Sequence, residues 1–358
     1  MIKEEILKAL RASEAYVSGQ ELCERFGVSR TAVWKAVTRL KEEGYAIDSV
    51  SNKGYCLKEL PDVVTEAEIG SRLKTRVMGR SCVCFDTTDS TNIQAKRLAE
   101  EGAPHGTLVC AERQTEGRGR RGRSWSSPPG EAVYMSLLLR PEIRPEHASM
   151  LTLVMGLAAA RACNELLGRM TEPGIVEPGR AETRAEDAPQ PGEMLLSGKT
   201  LRIGLKWPND LVLDGRKAAG ILTEMSAEID CIHYVVIGVG INVNTQIFPE
   251  SLTQAASLRQ AAGRPLMRSE LIALCMEYFE EYYGQFEETE DLSSMRKDYE
   301  ELLVNKGRQV QVLEPGNEHT GTALGINDQG ELLVRLSDGR IEQVYAGEVS
   351  VRGVYGYV

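Results

Sequence analysis

Gly117-Arg-Gly-Arg-Arg-Gly-Arg-Ser-Trp-Ser-Ser-Pro-Pro-Gly130 is the stretch on which the reading of this chain turns. Its first six residues satisfy G-x-G-x-x-G behind a strand, the pattern that opens a dinucleotide-binding helix. Such a helix must start at once to aim its amide groups at pyrophosphate. Ser124-Trp-Ser-Ser-Pro-Pro-Gly130 cannot be that helix, because paired prolines remove donors and clash with the preceding turn. Arg118, Arg120, Arg121 and Arg123 among flexible glycines describe instead a loop that wraps an anion, with guanidinium forks shaped for carboxylate or phosphate. A solvated basic loop or an RNA-binding run of arginines is the plainer alternative.

Around that loop lie 358 residues, enough for roughly two or three domains at about 100–200 residues each. Hydrophobic residues at 42% and charged residues at 26% exclude a wholly disordered, collagenous or coiled-coil chain. No run of 18 apolar residues occurs, so no membrane span is expected. Met1-Ile-Lys-Glu-Glu5 lacks the features of a secretory signal, and a cytoplasmic protein is the expectation. The 52 acidic and 42 basic residues give a net charge of -10, so any DNA contact must be local. The eight cysteines include no C-x-x-C pair, and no histidine stands at zinc-ligand spacing to them. Reduced, mostly buried thiols are expected and no metal site; Cys82 and Cys84, on one face of a strand, read as core packing.

Residues 1–60 form a unit of their own. Ile2, Ile6, Leu7 and Leu10 mark one amphipathic helix, Ser18-Gly-Gln-Glu21 opens a second over 21–26, and Gly27-Val28 turns into a third. Ser29 caps the third, where Val33, Ala36, Val37 and Leu40 point inward and Arg30, Thr31, Trp34, Lys35 and Thr38 outward. Two short strands around Ser51-Asn-Lys-Gly54 add a wing with Lys53 at its tip. This is a winged helix-turn-helix pattern, and its ten basic against nine acidic residues contrast with the acidic remainder. A packing or dimerisation module would share the pattern. The cationic, aromatic outer face favours a helix laid in the major groove, with Ser29, Arg30, Thr31, Trp34, Lys35 and Lys53 as candidate DNA contacts.

From residue 81 strands (82–85, 107–111, 133–139, 201–206, 218–225, 234–242) mix with helices (92–101, 147–167, 269–286, 292–303), a pattern of catalytic-domain size. Thr65-x-x-Glu68 caps a further helix ahead of them. Between 168 and 199 periodicity vanishes among four prolines, five glycines and six acidic residues, which predicts a mobile surface insertion. Ser197-Gly-Lys-Thr200 is no P-loop, since Gly192 lies one position too far away and a strand follows. Short runs at 309–313, 320–326, 331–336, 341–345 and 349–352 predict a small β-barrel of about fifty residues. The expected domains are 1–62, 63–304 and 305–358.

Other polar groups fall at strand ends of the middle domain. Asp89-Ser-Thr-Asn92 precedes a helix, so its side chains are either caps or ligand contacts. Gln114 ends a strand just before the arginine loop, and Lys206-Trp-Pro-Asn-Asp210 ends another with one rigidly presented cation and a proline stop. Gly238-Val-Gly-Ile-Asn242 allows close approach to backbone and then offers an amide.

Asp89-Ser-Thr-Asn92, Gln114-x-x-Gly-Arg-Gly-Arg-Arg-Gly-Arg123 with Trp125, Lys206-Trp-Pro-Asn-Asp210, Ala219-Gly-Ile-Leu222 with Glu224, and Gly238-x-Gly-Ile-Asn242 together resemble the biotin protein ligases of the bifunctional, repressor type. They occur in the family's order, and the likeness spans nearly the whole chain; the 168–199 insertion departs from the pattern between motifs. The resemblance implies an α+β protein with an N-terminal winged helix-turn-helix. A central mixed α/β ligase domain of the class II synthetase-like, biotin-lipoate ligase-like type would follow, then a C-terminal SH3-like β-barrel. It implies ATP and biotin as substrates, with Mg²⁺. Biotin's carboxylate attacks the α-phosphate of ATP, and biotinyl-5'-adenylate then acylates a lysine of the biotin carboxyl carrier protein of acetyl-CoA carboxylase. By the same resemblance Ser90, Thr91, Asn92, Gln114, Arg118, Gly119, Arg120 and Lys206 hold biotin. Arg120, Arg121, Trp125 and Asn242 hold the nucleotide, and Lys206 and Arg120 are the catalytic pair. The residue types suit the demand, because a carboxylate and a polyphosphate repel each other until cations neutralise both. A homodimer would pair two winged helices on a palindromic operator.

Two rival readings remain at this point. A lipoate or octanoate ligase is similar in fold but lacks the arginine-glycine loop. A repressor that senses biotin without catalysis needs neither Lys206 nor a phosphate-neutralising loop.

Overall fold

The computed structural model describes residues 2–13, 15–171, 201–313, 318–346, 350–353 and 357–358. The insertion expected at 168–199 lies, from residue 172 on, outside the described residues.

Three helices, α1 (Ile2–Arg11), α2 (Gly19–Phe26) and α3 (Arg30–Glu42), precede an antiparallel hairpin of β1 (Ala46–Val50) and β2 (Gly54–Glu59). Local capping chemistry sets the helix starts. The Ser18 hydroxyl accepts from Glu21 N at 3.0 Å and the Ser29 hydroxyl from Ala32 N at 3.2 Å, each satisfying an orphan donor at a gain of about 1 kcal/mol. Gly27, at φ 64°, ends α2 in the left-handed region that glycine enters without penalty. Ile6, Leu7, Leu10, Val33, Val37 and Leu40 meet Leu22, Tyr45, Ile47 and Leu57 in a core separate from the rest of the molecule.

A connecting helix, α4 (Glu66–Arg72), is capped by Thr65 and leads into the middle of the chain. In order follow β3 (Cys82–Thr88), α5 (Thr91–Glu100), β4 (Thr107–Gln114), β5 (Ala132–Leu139), α6 (Leu151–Thr171), β6 (Ile203–Lys206), β7 (Asp210–Leu213) and β8 (Arg216–Ala227). Then come β9 (Ile232–Asn242), α7 (Leu258–Ala262), α8 (Arg268–Thr289) and α9 (Arg296–Leu302). The seven strands run β3-β4-β5-β9-β8-β7-β6, parallel between β3 and β4 and antiparallel elsewhere. Alternation sorts their side chains between two faces. Leu108, Cys110, Leu137, Leu139, Val235 and Ile237 join α6 and α8 in the main core. Val109, Leu138 and Val236 pack on the other face against Ala95 and Ala99 of α5. Leu271, Cys275, Phe279, Tyr282 and Phe286 bury one stripe of α8 at helical spacing, and truncating a residue such as Phe279 to alanine would cost about 3–5 kcal/mol.

The structure adds β7, which the sequence reading did not anticipate. Pro208 sits in a turn and the chain returns as a strand of four residues, mostly buried and therefore without alternation to signal it. The helix expected over 147–167 starts at Leu151, after a 3₁₀ turn over Pro145–Met150. The segment Pro145–Arg169 is long and apolar enough to cross a membrane by length and composition, and 78% of its most apolar window is buried inside the protein.

The last five strands, β10 (Gln309–Leu313), β11 (His319–Ile326), β12 (Leu332–Arg335), β13 (Ile341–Val344) and β14 (Ser350–Gly353), form an antiparallel sheet in the order β13-β12-β11-β10-β14. Val310, Val312, Leu332 and Val334 share the main core. Trp207 Nε1 donates to Gly330 O at 3.0 Å, fastening this sheet to the turn after Lys206. At the other joint Glu68 of α4, fully buried, accepts from Arg11 at 2.6 Å, from Arg72 at 2.7 Å and from the Tyr45 hydroxyl.

Candidate active site

Two strand glycines make the floor of the site. On the α5 face of β9, a Cβ at Gly238 would stand 2.1 Å from Asn92 Oδ1, and one at Gly240 would stand 2.7 Å from the Trp125 indole. No side chain fits at either position, so Asn92 and Trp125 lie directly on strand backbone. A narrow slot of about 50 Å³ is bounded by Ser90, Thr91, Asn92, Gln114, Arg118, Gly119, Arg120 and Trp125, all of them expected from the sequence. Asn209 and Lys217 line it as well.

A polar network fixes Thr91, Asn92 and Gln114. Gln114 Oε1 accepts from the Thr91 amide at 2.8 Å and hydroxyl at 3.1 Å, while its Nε2 donates to Ser127 at 3.0 Å. Asn92 Nδ2 donates to Glu224 at 2.7 Å, and the buried Ser136 hydroxyl lies 2.6 Å from Asn92 Oδ1 and 2.8 Å from Thr91 Oγ1. Ser90 makes no capping hydrogen bond to α5. The Asp89–Asn92 side chains therefore do more than start a helix.

The arginine loop is folded back on itself. Gly119 N donates to Arg123 O at 2.7 Å and Trp125 N to Gly117 O at 2.8 Å. Arg121 and Gly122, at φ 58° and 71°, make a left-handed pair within a 3₁₀ turn. Arg120 donates to Asn209 Oδ1 at 2.9 Å and to Ala346 O at 3.3 Å, tying the loop to the β6–β7 turn and to the C-terminal sheet; burial lowers its pKa. Beyond Arg120 opens a wider cleft of about 490 Å³, lined by Arg121, Thr152, Pro208, Met225 and Tyr345 among others. Arg120 itself borders both spaces.

Lys206 is only 5% exposed. Its ammonium lies against the Tyr357 ring, 3.6 Å from the ring centre, and it is not among the slot-lining residues. Burial pushes its pKa down to about 8 against the opposing pull of Asp210. Lys217 pairs with Asp210 at 2.6 Å and stands 5.4 Å from the Trp125 ring centre. The Trp125 indole N–H is buried without a hydrogen-bond partner among the described residues, a donor whose desolvation costs about 1–3 kcal/mol until something accepts from it. Asn242 is not brought to the slot; its Nδ2 donates to Ala256 O at 3.1 Å.

Sequence reasoning missed Ser136, Lys217 and Tyr357. Ser136 is a small hydroxyl residue inside a strand otherwise made of hydrophobic residues, Tyr134 among them, the one signal available for it. On the winged helix, Arg30, Thr31, Trp34 and Lys35 are exposed along α3, with Trp34 at 58%, and Lys53 is exposed at the hairpin turn. Ser29 is exposed too and caps α3.

Residues 3–56 match the HTH domain family, 84–242 the biotin/lipoate A/B protein ligase family and 307–352 the biotin protein ligase C terminal domain. Fold and site thus define a biotin/lipoate-type protein ligase joined to a helix-turn-helix module. The chain is 36% identical over 344 residues to the bifunctional ligase/repressor BirA of Bacillus subtilis, covering 95% of each. It is 32% identical over 348 residues to that of Escherichia coli, covering 97% of this chain and 96% of the relative. Among solved structures, the Aquifex aeolicus biotin protein ligase in complex with biotin and ATP matches with TM-score 0.59 at 28% identity, over 76% of this chain and 99% of that one. The chain belongs to the BirA family of bifunctional ligase/repressors.

Proposed function

We infer that this chain is a bifunctional biotin–acetyl-CoA-carboxylase ligase, AMP-forming, and a biotin-responsive DNA-binding repressor. The observation that carries the reading is the convergence, on one sheet face, of the Thr91–Gln114 pair, the arginine loop and Trp125 over backbone bared at Gly238 and Gly240.

In this reading Ser90, Thr91, Gln114 and the Arg118-Gly119-Arg120 segment hold biotin, with Asn92 and Ser136 orienting Thr91. Lys206 meets the carboxylate, and Arg120 and Arg121 meet the phosphates. Trp125 packs on the nucleotide and offers its indole N–H, while Asn242 supports the strand end beside it. A carboxylate oxygen forms its bond to the α-phosphorus as the bond to pyrophosphate breaks. The carrier lysine amine then attacks the acyl carbon, AMP leaves and the amine loses a proton. The protein's part is to hold the two anions together and neutralise the charge that develops between them. Mg²⁺, if bound with ATP, would add positive charge that helps neutralise the phosphates beside Arg120 and Arg121.

The carrier protein and operator DNA are the partners, and a homodimer would present two copies of α3 to the two halves of an operator. A ligase drawing on ATP and acting on an operator works in the cytoplasm. Exchange of labelled pyrophosphate into ATP tests the enzyme reading. It should proceed with biotin and not with lipoate or octanoate; exchange with lipoate or octanoate in biotin's place would move the assignment to the sister ligases, and none with any acid would leave a sensor.

A further inference from the structure

Three thiols that the ligase chemistry does not use meet at the edge of the main sheet. Cys82 and Cys84 share a face of β3, the outermost strand, and the parallel register sets Cys110 of β4 beside Cys84. All three sulfurs lie within 4.8 Å of one another, with Cys82 Sγ and Cys84 Sγ 3.8 Å apart. Zinc–sulfur bonds of about 2.3 Å at tetrahedral angles put ligand sulfurs about 3.8 Å from each other. A disulfide requires about 2.05 Å. The Cys82–Cys84 spacing is therefore that of two ligands on a common ion, with Cys110 Sγ within 4.8 Å of both.

The surroundings favour a cation too. Glu66 accepts from Cys84 N at 3.2 Å, which sets a carboxylate beside the thiols. Thiolates beside that carboxylate need a compensating positive charge. Cys110 is buried while Cys82 and Cys84 are half-buried, so the cluster is open to entry from the sheet edge.

We propose that Cys82, Cys84 and Cys110 bind one soft divalent cation of the zinc class, with the Glu66 carboxylate or a water in the fourth position. Binding forms metal–sulfur bonds and releases the thiol protons to solvent, with no change of oxidation state. The ion would sit beside α4, where Gly70 packs so closely on Glu4 of α1 that a Cβ would come within 2.6 Å of its carboxylate. It would thus brace the sheet edge at the joint with the winged helix. From sequence Cys82 and Cys84 were a core pair; only strand pairing brings in Cys110.

Cadmium titration of the reduced, metal-stripped full-length protein tests this through thiolate-to-metal charge-transfer absorption. The signal should saturate at one equivalent with the intensity of three sulfurs, and prior occupation by zinc should compete with it. Cys84→Ser should cut the intensity to two sulfurs and weaken binding at least about tenfold, while Cys231→Ser changes neither. Substituting the buried Cys110 risks the fold, so an X-ray absorption sulfur count on the cadmium-loaded wild type supplies the independent check. Two or fewer sulfurs in that count, or a signal indifferent to Cys84→Ser, would overturn the proposal.

Discussion

The Lys206 ammonium stands 3.6 Å from the centre of the Tyr357 ring, and the Tyr357 hydroxyl donates to Asp210, which also pairs with Lys217. The end of the chain thus covers the cation assigned to biotin's carboxylate. Such a contact is worth about 0.5–2 kcal/mol, and a carboxylate arriving at Lys206 has to replace it. Tyr357→Ala should therefore lower the KM for biotin about two- to thirtyfold in pyrophosphate exchange, with kcat little changed. Tyr357→Phe keeps the ring and should stay near wild type. A raised KM in the alanine variant would make the ring a support for the substrate rather than a competitor.

Burial holds Lys206 at about 8, so its charge is present at neutral pH and lost as pH rises through that value. kcat/KM for biotin reports the unliganded enzyme and should fall above pH about 8. A bound carboxylate stabilises the ammonium, so kcat should hold to higher pH. Lys206→Met should abolish this limb and slow adenylate formation by about 10²–10³-fold, the scale of losing one preorganised charge-stabilising group. A wild-type kcat/KM that stays flat to the ordinary lysine value of about 10 would remove Lys206 from the role.

Arg120 binds Asn209 and the Ala346 carbonyl while bordering both the slot and the wider cleft. It ties the loop to the β6–β7 turn and to the C-terminal sheet. Hydrogen bonds from a charged group contribute about 1.5–3 kcal/mol, so Arg120→Ala should release biotinyl-adenylate about 10- to 150-fold faster. Trapping the released adenylate without carrier protein measures this; unchanged retention sinks the assignment.

How far the site was legible depended on whether a residue conflicts with its local setting. Arginines between glycines and glycines inside β9 have no purpose in a sheet core, so they stood out. Capping residues such as Ser18 and Ser29 act within one turn, and the winged helix could be read from them. Lys217 looks like any surface lysine until β8 pairs with β7 and brings it to Asp210. Tyr357 reaches Lys206 across 151 positions of sequence, and no local pattern encodes that approach. Asn242 shows the converse: a polar residue at a strand end whose amide the fold itself uses.

Glu68 bears on how the DNA-binding unit can be tested. Burial alone would raise its pKa, but Arg11 and Arg72 outweigh that and hold it below the usual carboxylate range. A depressed carboxyl stabilises the fold above its unfolded value of about 4.3, and that contribution is lost as pH falls through the folded value. Glu68→Gln leaves two guanidiniums facing a neutral amide and should cost about 3 kcal/mol or more at pH 7. The gap in thermal stability from wild type should persist down to about pH 4.5 and close below it; a gap independent of pH would exclude the ion pair as its source. Deleting residues 1–60 removes Arg11 and Tyr45 from the same carboxylate, so truncation should destabilise the ligase as well as abolish DNA binding.

Surface substitution on α3 separates the two activities without disturbing that joint. Arg30, Lys35 and Lys53 are exposed, and none touches Glu68 or lines the slot. If Arg30 and Lys35 read base edges, each alanine variant should lose about 1–3 kcal/mol of specific binding to operator fragments selected from random DNA. Lys53→Ala, removing a phosphate contact, should weaken all sequences alike and reduce the salt dependence of log K by about 0.9. Biotin transfer to the carrier should be unchanged in all three. Undiminished operator binding in the Arg30→Ala, Lys35→Ala double variant would place the DNA contact on another surface.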